Sequence, residues 1–263
     1  MAAAVQGTLS ASRLPSQIAM LLRPLEILDP ITPYPAGRVS PRRRFTVADS
    51  IGELLHGIQR RWQRERRRRK VGRAYDMALE VARVMPRHSR VLDVGCGNGF
   101  IAHHLSAMLG TDVTGIDLDK SAQAPIDYQR FDGTHFPVED QSVDGVLFCY
   151  VLHHAQDVGA ILSEGRRVLR PGGLIVVYED IPEIWWDRFV CWTHNLQWQS
   201  RTGPCTFRDQ DEWRNTFDNA EFEMVDERRL SRMRNLAHPV CRRFYILKKT
   251  NVSACRARTI WDR

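Results

Sequence analysis

From residue 90 onwards, the chain alternates short apolar runs with segments of helical periodicity, and this alternation restricts the fold more than any other feature. The apolar runs predict strands at Arg90–Val94, Val113–Asp117, Tyr128–Phe131, Val143–Phe148 and Leu174–Tyr178. The predicted helices lie at Phe100–Leu109 and Val158–Leu169, and a Pro-Gly-Gly turn at 171–173 follows the second of them. Strands and helices that alternate at this spacing indicate a parallel sheet covered by helices on both faces.

The last third of the chain extends this pattern. It predicts helices at Ile184–Trp198 and Asp209–Phe217, and then strands at Phe222–Leu230 and Arg242–Leu247. The predicted fold class is therefore α/β, with a doubly wound, mostly parallel seven-stranded sheet and an N-terminal helical extension.

The regions outside the sheet differ from it in composition. Six prolines punctuate residues 1–45, which we expect to be disordered. Residues 46–87 are predicted to form the helical extension, with Asp49 or Ser50 as its cap. Residues 88–250 form the predicted ligand-binding domain, and residues 251–263 are a C-terminal tail.

Positive charge is concentrated ahead of the predicted domain. Residues 1–73 carry 15 basic and 5 acidic side chains, whereas the rest of the chain carries 23 basic and 26 acidic ones. Eight of the eleven residues from Arg60 to Lys70 are basic. Such a run is either a solvated helix face, which packs Ile51, Leu54 and Ile58 on the domain, or a contact for an anionic membrane surface or nucleic acid. Because the domain is net acidic, nucleic acid is not an expected partner.

Several classes of protein are excluded or disfavoured by what the sequence lacks. No run of 18 apolar residues is present, so a membrane-spanning helix is not expected. The first residues do not have the pattern of a secretory signal, and the six cysteines include no C-x-x-C pair. We therefore expect reduced thiols, a cytoplasmic location and no bound metal.

The segment Val91-Leu92-Asp93-Val94-Gly95-Cys96-Gly97-Asn98-Gly99 carries the functional signal. It follows a predicted strand and opens a helix, so its glycines allow a tight turn and close approach of a ligand to the backbone. Asp117 ends the next strand, 18 residues after Gly99, where its carboxylate can bind both hydroxyls of a ribose. Phe100 stands where a dinucleotide-binding loop needs its third glycine. A nucleoside ligand other than a dinucleotide is indicated.

Further motifs follow this loop in order. They are Phe131-Asp132-Gly133, Phe136-Pro137, Ser142-Val143-Asp144, Cys149-Tyr150-Val151-Leu152-His153-His154 and Val168-Leu169-Arg170-Pro171-Gly172-Gly173. With the glycine loop, they resemble the class I S-adenosylmethionine-dependent methyltransferases, and most closely the family that includes the ubiquinone and menaquinone methyltransferases. The resemblance covers about residues 88–180 and extends loosely to residue 248. One departure is Ala220-Glu221-Phe222, where the family commonly has Ala-Gly-Phe.

This resemblance implies S-adenosyl-L-methionine as the cofactor and assigns residues to its parts. The glycine loop would hold the methionine moiety, Asp117 the ribose, and Asp132 the exocyclic amine of the adenine. An alternative for Asp132 is that it only caps its own turn. The predicted cofactor-binding residues are Asp93, Gly95, Cys96, Gly97, Asn98, Gly99, Asp117, Leu118, Asp132, Gly133 and Cys149.

Residues that would serve the acceptor are less sharply defined. His153 and His154 follow the fourth strand and are the candidate catalytic bases, with His154 preferred; alternatively they position the cofactor or cap the next segment. Glu179 and Asp180 end the fifth strand and either orient the substrate or are solvated. The aromatic stripe of Trp185, Phe189 and Trp192 is interpreted first as core packing, and second as the wall of a pocket for a flat, apolar acceptor.

Together these features predict an enzyme that methylates an O, N or C atom of a small, lipophilic or aromatic molecule. Two alternatives belong to other classes. One is a module that binds the cofactor without turnover, and the other is an RNA or protein methyltransferase docked by the basic run. The segment after the fourth strand lacks the Asn/Asp-Pro-Pro-Tyr sequence of many amino-directed nucleic-acid enzymes, which disfavours the latter.

Overall fold

The computed structural model describes residues 47–119, 121–235 and 238–250, with side chains from Leu55 onwards. The chain divides into two units, Met1–Glu53 and Leu54–Arg263. Only the backbone of residues 47–53 is described in the first unit, so the prediction of disorder for residues 1–45 and the tail at 251–263 lie outside the described residues. Within the described part, no helix is both long and apolar enough to span a membrane. The five cysteines described there are free thiols; Cys255 lies outside it.

The described residues form five helices and seven strands, in the predicted order. The helices are α1 (Val47–Ala82), α2 (Phe100–Leu109), α3 (Val158–Val168), α4 (Trp185–Thr202) and α5 (Gln210–Asn219). The strands are β1 (Val91–Val94), β2 (Thr114–Asp117), β3 (Asp127–Arg130), β4 (Val143–Cys149), β5 (Leu169–Ile181), β6 (Phe222–Leu230) and β7 (Cys241–Lys249). Short 3₁₀ helices lie at Leu152–His154 and Arg232–Asn235.

All seven strands form one sheet in the order β3-β2-β1-β4-β5-β7-β6. Neighbouring strands from β3 to β5 are parallel, and β7 runs antiparallel to both β5 and β6. The strand order reverses between β1 and β4, and the carboxyl ends of open α/β sheets bind ligands at such a switch point. The predicted doubly wound, mostly parallel seven-stranded sheet is confirmed.

Alternation along the strands divides the hydrophobic core between the two faces of the sheet. In β5, Ile175 and Val177 belong to one buried cluster, whereas Val176 and Tyr178 belong to the other. The first cluster includes apolar residues of α3 and α5, and the second includes those of α1 and α2. Successive side chains of a strand point to opposite faces, so helices must cover both sides of strands as apolar as these.

Helix α1 begins at Val47, so Asp49 and Ser50 lie within the helix and neither is its N-terminal cap. Its last turns bury Ala78 and Val81 in the same cluster as β1 and α2. Its earlier turns expose Leu55, Ile58 and Trp62 together with the whole basic run. Exposure of Ile58 contradicts the interpretation in which this face packs on the domain; the side chains of Ile51 and Leu54 lie outside the described residues.

Strand β5 differs most from its predicted bounds. It begins at Leu169, and the Pro-Gly-Gly segment forms an irregularity within the strand, where the register with β4 shifts between Val143 and Gly145. At its other end, antiparallel pairing with β7 extends it to Ile181. The turn signal therefore marks a bulge, because Val143 already pairs with Leu169 before it.

The interpretation of the α4 aromatic stripe as core packing is wrong. Trp185, Phe189 and Trp192 are 75%, 48% and 56% exposed. The inward stripe of the helix contains Asp187 and Cys191, which are buried, and the half-buried His194. Asp187 faces inward because its carboxylate accepts two hydrogen bonds from Arg232, at 3.0 and 2.8 Å. A charged pair, rather than the aromatic stripe, therefore sets the orientation of α4.

Candidate active site

The glycine loop after β1 is attached to the end of β2. The backbone N–H of Gly97 donates to Oδ2 of Asp117 over 2.7 Å. Gly97 has a φ of 55°, and a Cβ placed on it would meet no atom within 4 Å, so its backbone faces open space. At Gly95 the reverse holds, since a Cβ would lie 2.3 Å from Cγ2 of Val151. The loop is thus packed against the segment after β4 on one side and open to a ligand on the other.

Asp93 is a buried carboxylate near the carboxyl end of β1. Its exposed fraction is 1%, and neither of its oxygens accepts a hydrogen bond within the described part of the chain. Burial, followed by the nearby charge of Asp117, raises the pKa of Asp93 to about 8. A buried carboxylate in its charged form lowers the stability of the folded protein unless a cation pairs with it. The site therefore fits a ligand that brings a positive charge to Asp93.

The predicted ribose and adenine residues lie together at the ends of β2 and β3. Oδ1 of Asp117 accepts from the backbone N–H of Asp119, and the exposed Leu118 lies against Gly133. Asp132 uses Oδ1 to accept three hydrogen bonds from Thr134 and His135. These bonds lower its pKa to about 2. Asp132 therefore caps its own turn, and its contact with adenine stays a prediction.

The remaining predicted cofactor residues line the same edge of the sheet. The carbonyl of Asn98 accepts from the backbone of Gln123 and Ala124, which holds the glycine loop against the segment before β3. Burial raises the pKa values of the Cys96 and Cys149 thiols, so both stay protonated at neutral pH. Gly99 precedes α2 as its first flanking residue. These groups shape the site but supply no charge to it.

The two consecutive histidines after β4 have different environments. His153 is 1% exposed, and its Nδ1 lies 2.6 Å from Oε2 of Glu179. His154 is half-buried, with Nδ1 3.1 Å from the hydroxyl of Thr202. Because His153 lacks access to solvent and His154 does not, this geometry favours His154 of the two candidates, and a catalytic role for either stays a prediction.

A third histidine joins them that the sequence did not single out. His194 on α4 places Nε2 at 3.3 Å from Nε2 of His154. The Sγ atom of Cys205 lies 3.3 Å from Nδ1 of His154, and the Phe207 ring stacks on His153. Forty residues separate His194 from His154, so no local spacing could have revealed the cluster. The only signal was that α4 was predicted to follow the ligand-binding end of β5.

Burial and mutual repulsion govern the protonation of these rings. Burial, followed by His153 and His194, lowers the pKa of His154 to about 3. Burial, followed by His153 and His238, lowers the pKa of His194 to about 4. Burial also opposes the charged form of His153, but Glu179 outweighs it and raises that pKa. His154 and His194 are consequently neutral at pH 7.

The two acids that end β5 are buried, which excludes the interpretation of solvated loop residues. Oε1 of Glu179 accepts from the backbone N–H of Leu152, while Oε2 meets His153. Asp180 pairs with His238 and with the buried Arg242, each at 2.9 Å. Glu179 therefore orients the histidine segment after β4, and Asp180 holds His238 and Arg242 next to it.

Comparison with known proteins assigns this architecture. Residues 92–177 match the family model described as a methyltransferase domain. A malonyl-[acyl-carrier protein] O-methyltransferase of Yersinia pestis is 40% identical over 93 residues, which are 33% of this chain and 34% of that protein. A 2-phytyl-1,4-naphtoquinone methyltransferase of Synechococcus elongatus is 27% identical over 149 residues, 51% of this chain and 58% of that protein. The chain thus spans less than two thirds of the length of these relatives.

A solved structure supports the fold. A SAM-dependent methyltransferase from Thermotoga maritima superposes with a TM-score of 0.53 at 19% identity, over 74% of this chain and 99% of that one. The fold and the glycine-loop site define a Rossmann-like domain that binds a nucleoside cofactor. Residues 92–177 therefore form a methyltransferase domain similar to those of the class I S-adenosylmethionine-dependent methyltransferase family. The cofactor of this family is S-adenosylmethionine.

Proposed function

We propose that this protein transfers the methyl group of S-adenosylmethionine to an O, N or C atom of a small, lipophilic or aromatic acceptor. The observation that carries the proposal is the buried carboxylate of Asp93, which accepts no hydrogen bond of standard geometry among the described residues and precedes the glycine loop with the open backbone of Gly97. An amino-acid ammonium is a cation that fits this carboxylate. Asp117, fixed against the same loop, is placed to bind the ribose hydroxyls.

The cofactor supplies a methyl group that its sulfonium has already activated. What the chain must add is orientation of the acceptor and exclusion of water. Orientation alone accounts for roughly 7–11 kcal/mol in well-aligned cases, whereas a general base contributes about 10²–10⁴-fold. Positioning is therefore the larger contribution, and the proposal does not depend on His154 acting as a base.

Helix α4 supports a lipophilic acceptor. This helix exposes Trp185, Trp186, Phe189, Trp192 and Leu196, while its inward face brings His194 to the histidine cluster. Aromatic surface of this extent marks a binding face more often than ordinary solvent-exposed surface. One relative is a naphthoquinone methyltransferase by name, and others are ubiquinone O-methyltransferases. Acceptors of that chemistry, flat and apolar, would suit this helix.

Contact with an anionic membrane surface is a further part of the proposal. The exposed run Arg60–Lys70 lies on α1 beside the exposed Leu55, Ile58 and Trp62. An apolar stripe next to clustered arginines is typical of helices that lie at a membrane interface. Such contact would bring the site to a lipophilic acceptor. The cytoplasmic location stays a prediction of the sequence.

The cofactor assignment is tested with two matched glycine variants. Gly97 and Gly172 both have positive φ, and a Cβ on either meets no atom within 4 Å. Each Gly→Ala change should therefore cost about 1–2 kcal/mol of stability. We expect S-adenosylhomocysteine to raise the melting temperature of the wild type and of Gly172→Ala, but not of Gly97→Ala, because a ligand stabilises the state that it binds. A shift with NAD and none with S-adenosylhomocysteine would overturn the assignment.

Turnover is tested separately, with cofactor labelled in its methyl group and a fractionated extract of metabolites and lipids. We expect label in an organic-soluble product. Label only in RNA or protein would favour the docked macromolecular methyltransferase. Binding of S-adenosylhomocysteine without transfer to any fraction would favour a module that binds the cofactor without turnover.

A further inference from the structure

The histidine cluster has the composition of a metal site. His153, His154 and His194 each offer a ring nitrogen, and these atoms lie within 4.8 Å of one another. Among the described residues, this is the one group of three or more potential ligand side chains that converge in this way. It lies where the segment after β4 meets α4, at the edge of the sheet that binds ligands.

The distance between two of the rings matches a coordination sphere. Imidazole nitrogens bind Zn²⁺ at about 2.0–2.1 Å, and a tetrahedral arrangement then separates neighbouring nitrogens by about 3.3–3.4 Å. Nε2 of His154 and Nε2 of His194 are 3.3 Å apart. A hydrogen bond between the rings would also give this distance. Such a hydrogen bond would not explain, however, why His153, the most deeply buried of the three rings, lies beside this pair.

That third ring has a free nitrogen. Glu179 bonds Nδ1 of His153 at 2.6 Å, and Nε2 of His153 is buried with no partner in the described part of the structure. A carboxylate that holds one ring nitrogen fixes the tautomer and leaves the other nitrogen for a metal, which is the usual surrounding of metal-bound histidine. On His154, the Thr202 hydroxyl and the Cys205 thiol lie 3.1 and 3.3 Å from Nδ1, which leaves Nε2 as the nitrogen that faces His194.

We propose that His153, His154 and His194 bind one divalent transition-metal ion, with Zn²⁺ as the leading candidate and a fourth position open. Imidazole ligands suit Zn²⁺, Cu²⁺, Ni²⁺ and Fe²⁺ rather than Mg²⁺ or Ca²⁺. Three protein ligands with an open position are typical of catalytic zinc sites, whereas structural sites have four. The open position would take an oxygen of the acceptor. Only this role in acceptor binding rests on the proposed function; the binding of the ion does not.

The experiment uses the full chain without a histidine tag, stripped of metal by a chelator. Co²⁺ serves as the probe, since it reports tetrahedral coordination by its visible absorption. We expect saturation at about one ion per chain in the wild type. His194→Ala should weaken binding at least tenfold, and the matched control His56→Ala, which removes an exposed histidine of α1, should not. Equal Co²⁺ binding by all three proteins, or none by the wild type, would overturn the proposal.

Glu179→Gln provides a second, independent test. The amide keeps the size of the side chain but loses the charge that orients His153. Changes of this kind beside a metal-bound histidine typically weaken metal binding 10–100-fold. We expect that loss for Co²⁺, and Zn²⁺ should raise the melting temperature of the wild type much more than that of this variant. Unchanged Co²⁺ affinity in Glu179→Gln would contradict the role given to His153.

Two further measurements separate this proposal from the proposed function. Affinity for S-adenosylhomocysteine, measured on each variant, reports the glycine-loop site, which contains none of the three histidines. Co²⁺ binding that depends on His194 in a protein without methyl transfer would support the metal site and contradict the enzyme. If His194→Ala fails to fold by circular dichroism, His194→Gln, which is closer in size, replaces it with the same expected loss.

Discussion

At the scale of residues, Asp93 differs from the other buried acids of the chain. Glu179, Asp180 and Asp187 all have cationic or hydrogen-bonding partners within the structure. Asp93 has none among the described residues, although it is as deeply buried. A carboxylate that the fold itself does not satisfy is explained by a ligand, and this is why we assign the methionine ammonium to it.

The raised pKa of Asp93 predicts that cofactor affinity depends on pH. Between its unfolded value of 3.8 and its folded value of about 8, the ligand-free protein holds a proton that an arriving ammonium must displace. The ammonium itself stays charged from pH 5.5 to pH 7. Affinity for S-adenosylhomocysteine should therefore rise from pH 5.5 to pH 7, by up to about tenfold per unit. Calorimetry in buffers of different ionisation enthalpy would measure the proton released.

Asp93→Asn is the control for that experiment. It should bind S-adenosylhomocysteine weakly and with a much flatter dependence on pH, because the titrating carboxyl is gone. The same variant tests the linkage to stability. A raised folded pKa means that the contribution of Asp93 to stability is present below about pH 4 and is lost as the pH rises towards 8. The melting temperature of the ligand-free variant, relative to the wild type, should thus increase from pH 5 to pH 8.

At the scale of elements, α1 and α4 both show apolar residues to solvent. On α1 the stripe of Leu55, Ile58 and Trp62 accompanies the basic run, and Arg66 stacks over Trp62 at 4.6 Å. On α4 the stripe is aromatic and lies on the side opposite to Asp187 and Cys191. Both helices thus have faces for which the described chain provides no cover, but only α1 adds a cluster of positive charge.

That charge predicts salt-sensitive binding of the full chain to vesicles that contain anionic lipid. Each basic residue close to such a surface contributes about 1 kcal/mol, and salt screens the attraction. In a sedimentation assay, a chain that starts at Gly72 should lose this binding and keep its affinity for S-adenosylhomocysteine. Trp62→Ala should weaken binding less, because it keeps the charges. Equal pelleting of the full and shortened chains would leave the run as a solvated face.

The same two helices show what the sequence could and could not predict. Every strand and α-helix between residues 88 and 250 was predicted, because apolar periodicity and glycine turns are local properties, whereas the two short 3₁₀ helices were not. The orientation of α4 was not predicted, because it depends on the pair between Asp187 and Arg232, which lies 45 residues further along the chain. The role of His194 was not predicted for the same reason, because its partner His154 lies in the segment after β4. Non-local polar contacts have no signature in the periodicity of one helix.

At the scale of the whole molecule, the hydrophobic core of the sheet domain includes residues that precede its first strand. Ala78, Val81 and Met85 are buried in the cluster that includes β1 and α2. We therefore propose that the domain begins before the predicted boundary at residue 88. The last turns of α1 are part of what stabilises the cofactor domain.

A pair of shortened chains tests this contribution. A chain that starts at Gly72 keeps Val81 and Met85, whereas one that starts at His88 loses them. Each of these two side chains contributes about 1.5–3 kcal/mol by burial. We expect the chain from Gly72 to melt close to the full-length protein, and the chain from His88 to melt many degrees lower or to be insoluble. Equal melting temperatures would show that the boundary at residue 88 is the correct one.

The position of β7 has a consequence for the order in which the protein acquires its shape during synthesis. β7 lies between β5 and β6 in the sheet, yet it is made after both. Until residues 241–249 have emerged from the ribosome, β6 has no neighbouring strand to pair with, and the edge of β5 that β7 covers is bare. Domains generally fold as units once their chain has emerged. The β7-facing edges of β5 and β6 must therefore stay unpaired in the nascent protein until β7 arrives and joins them.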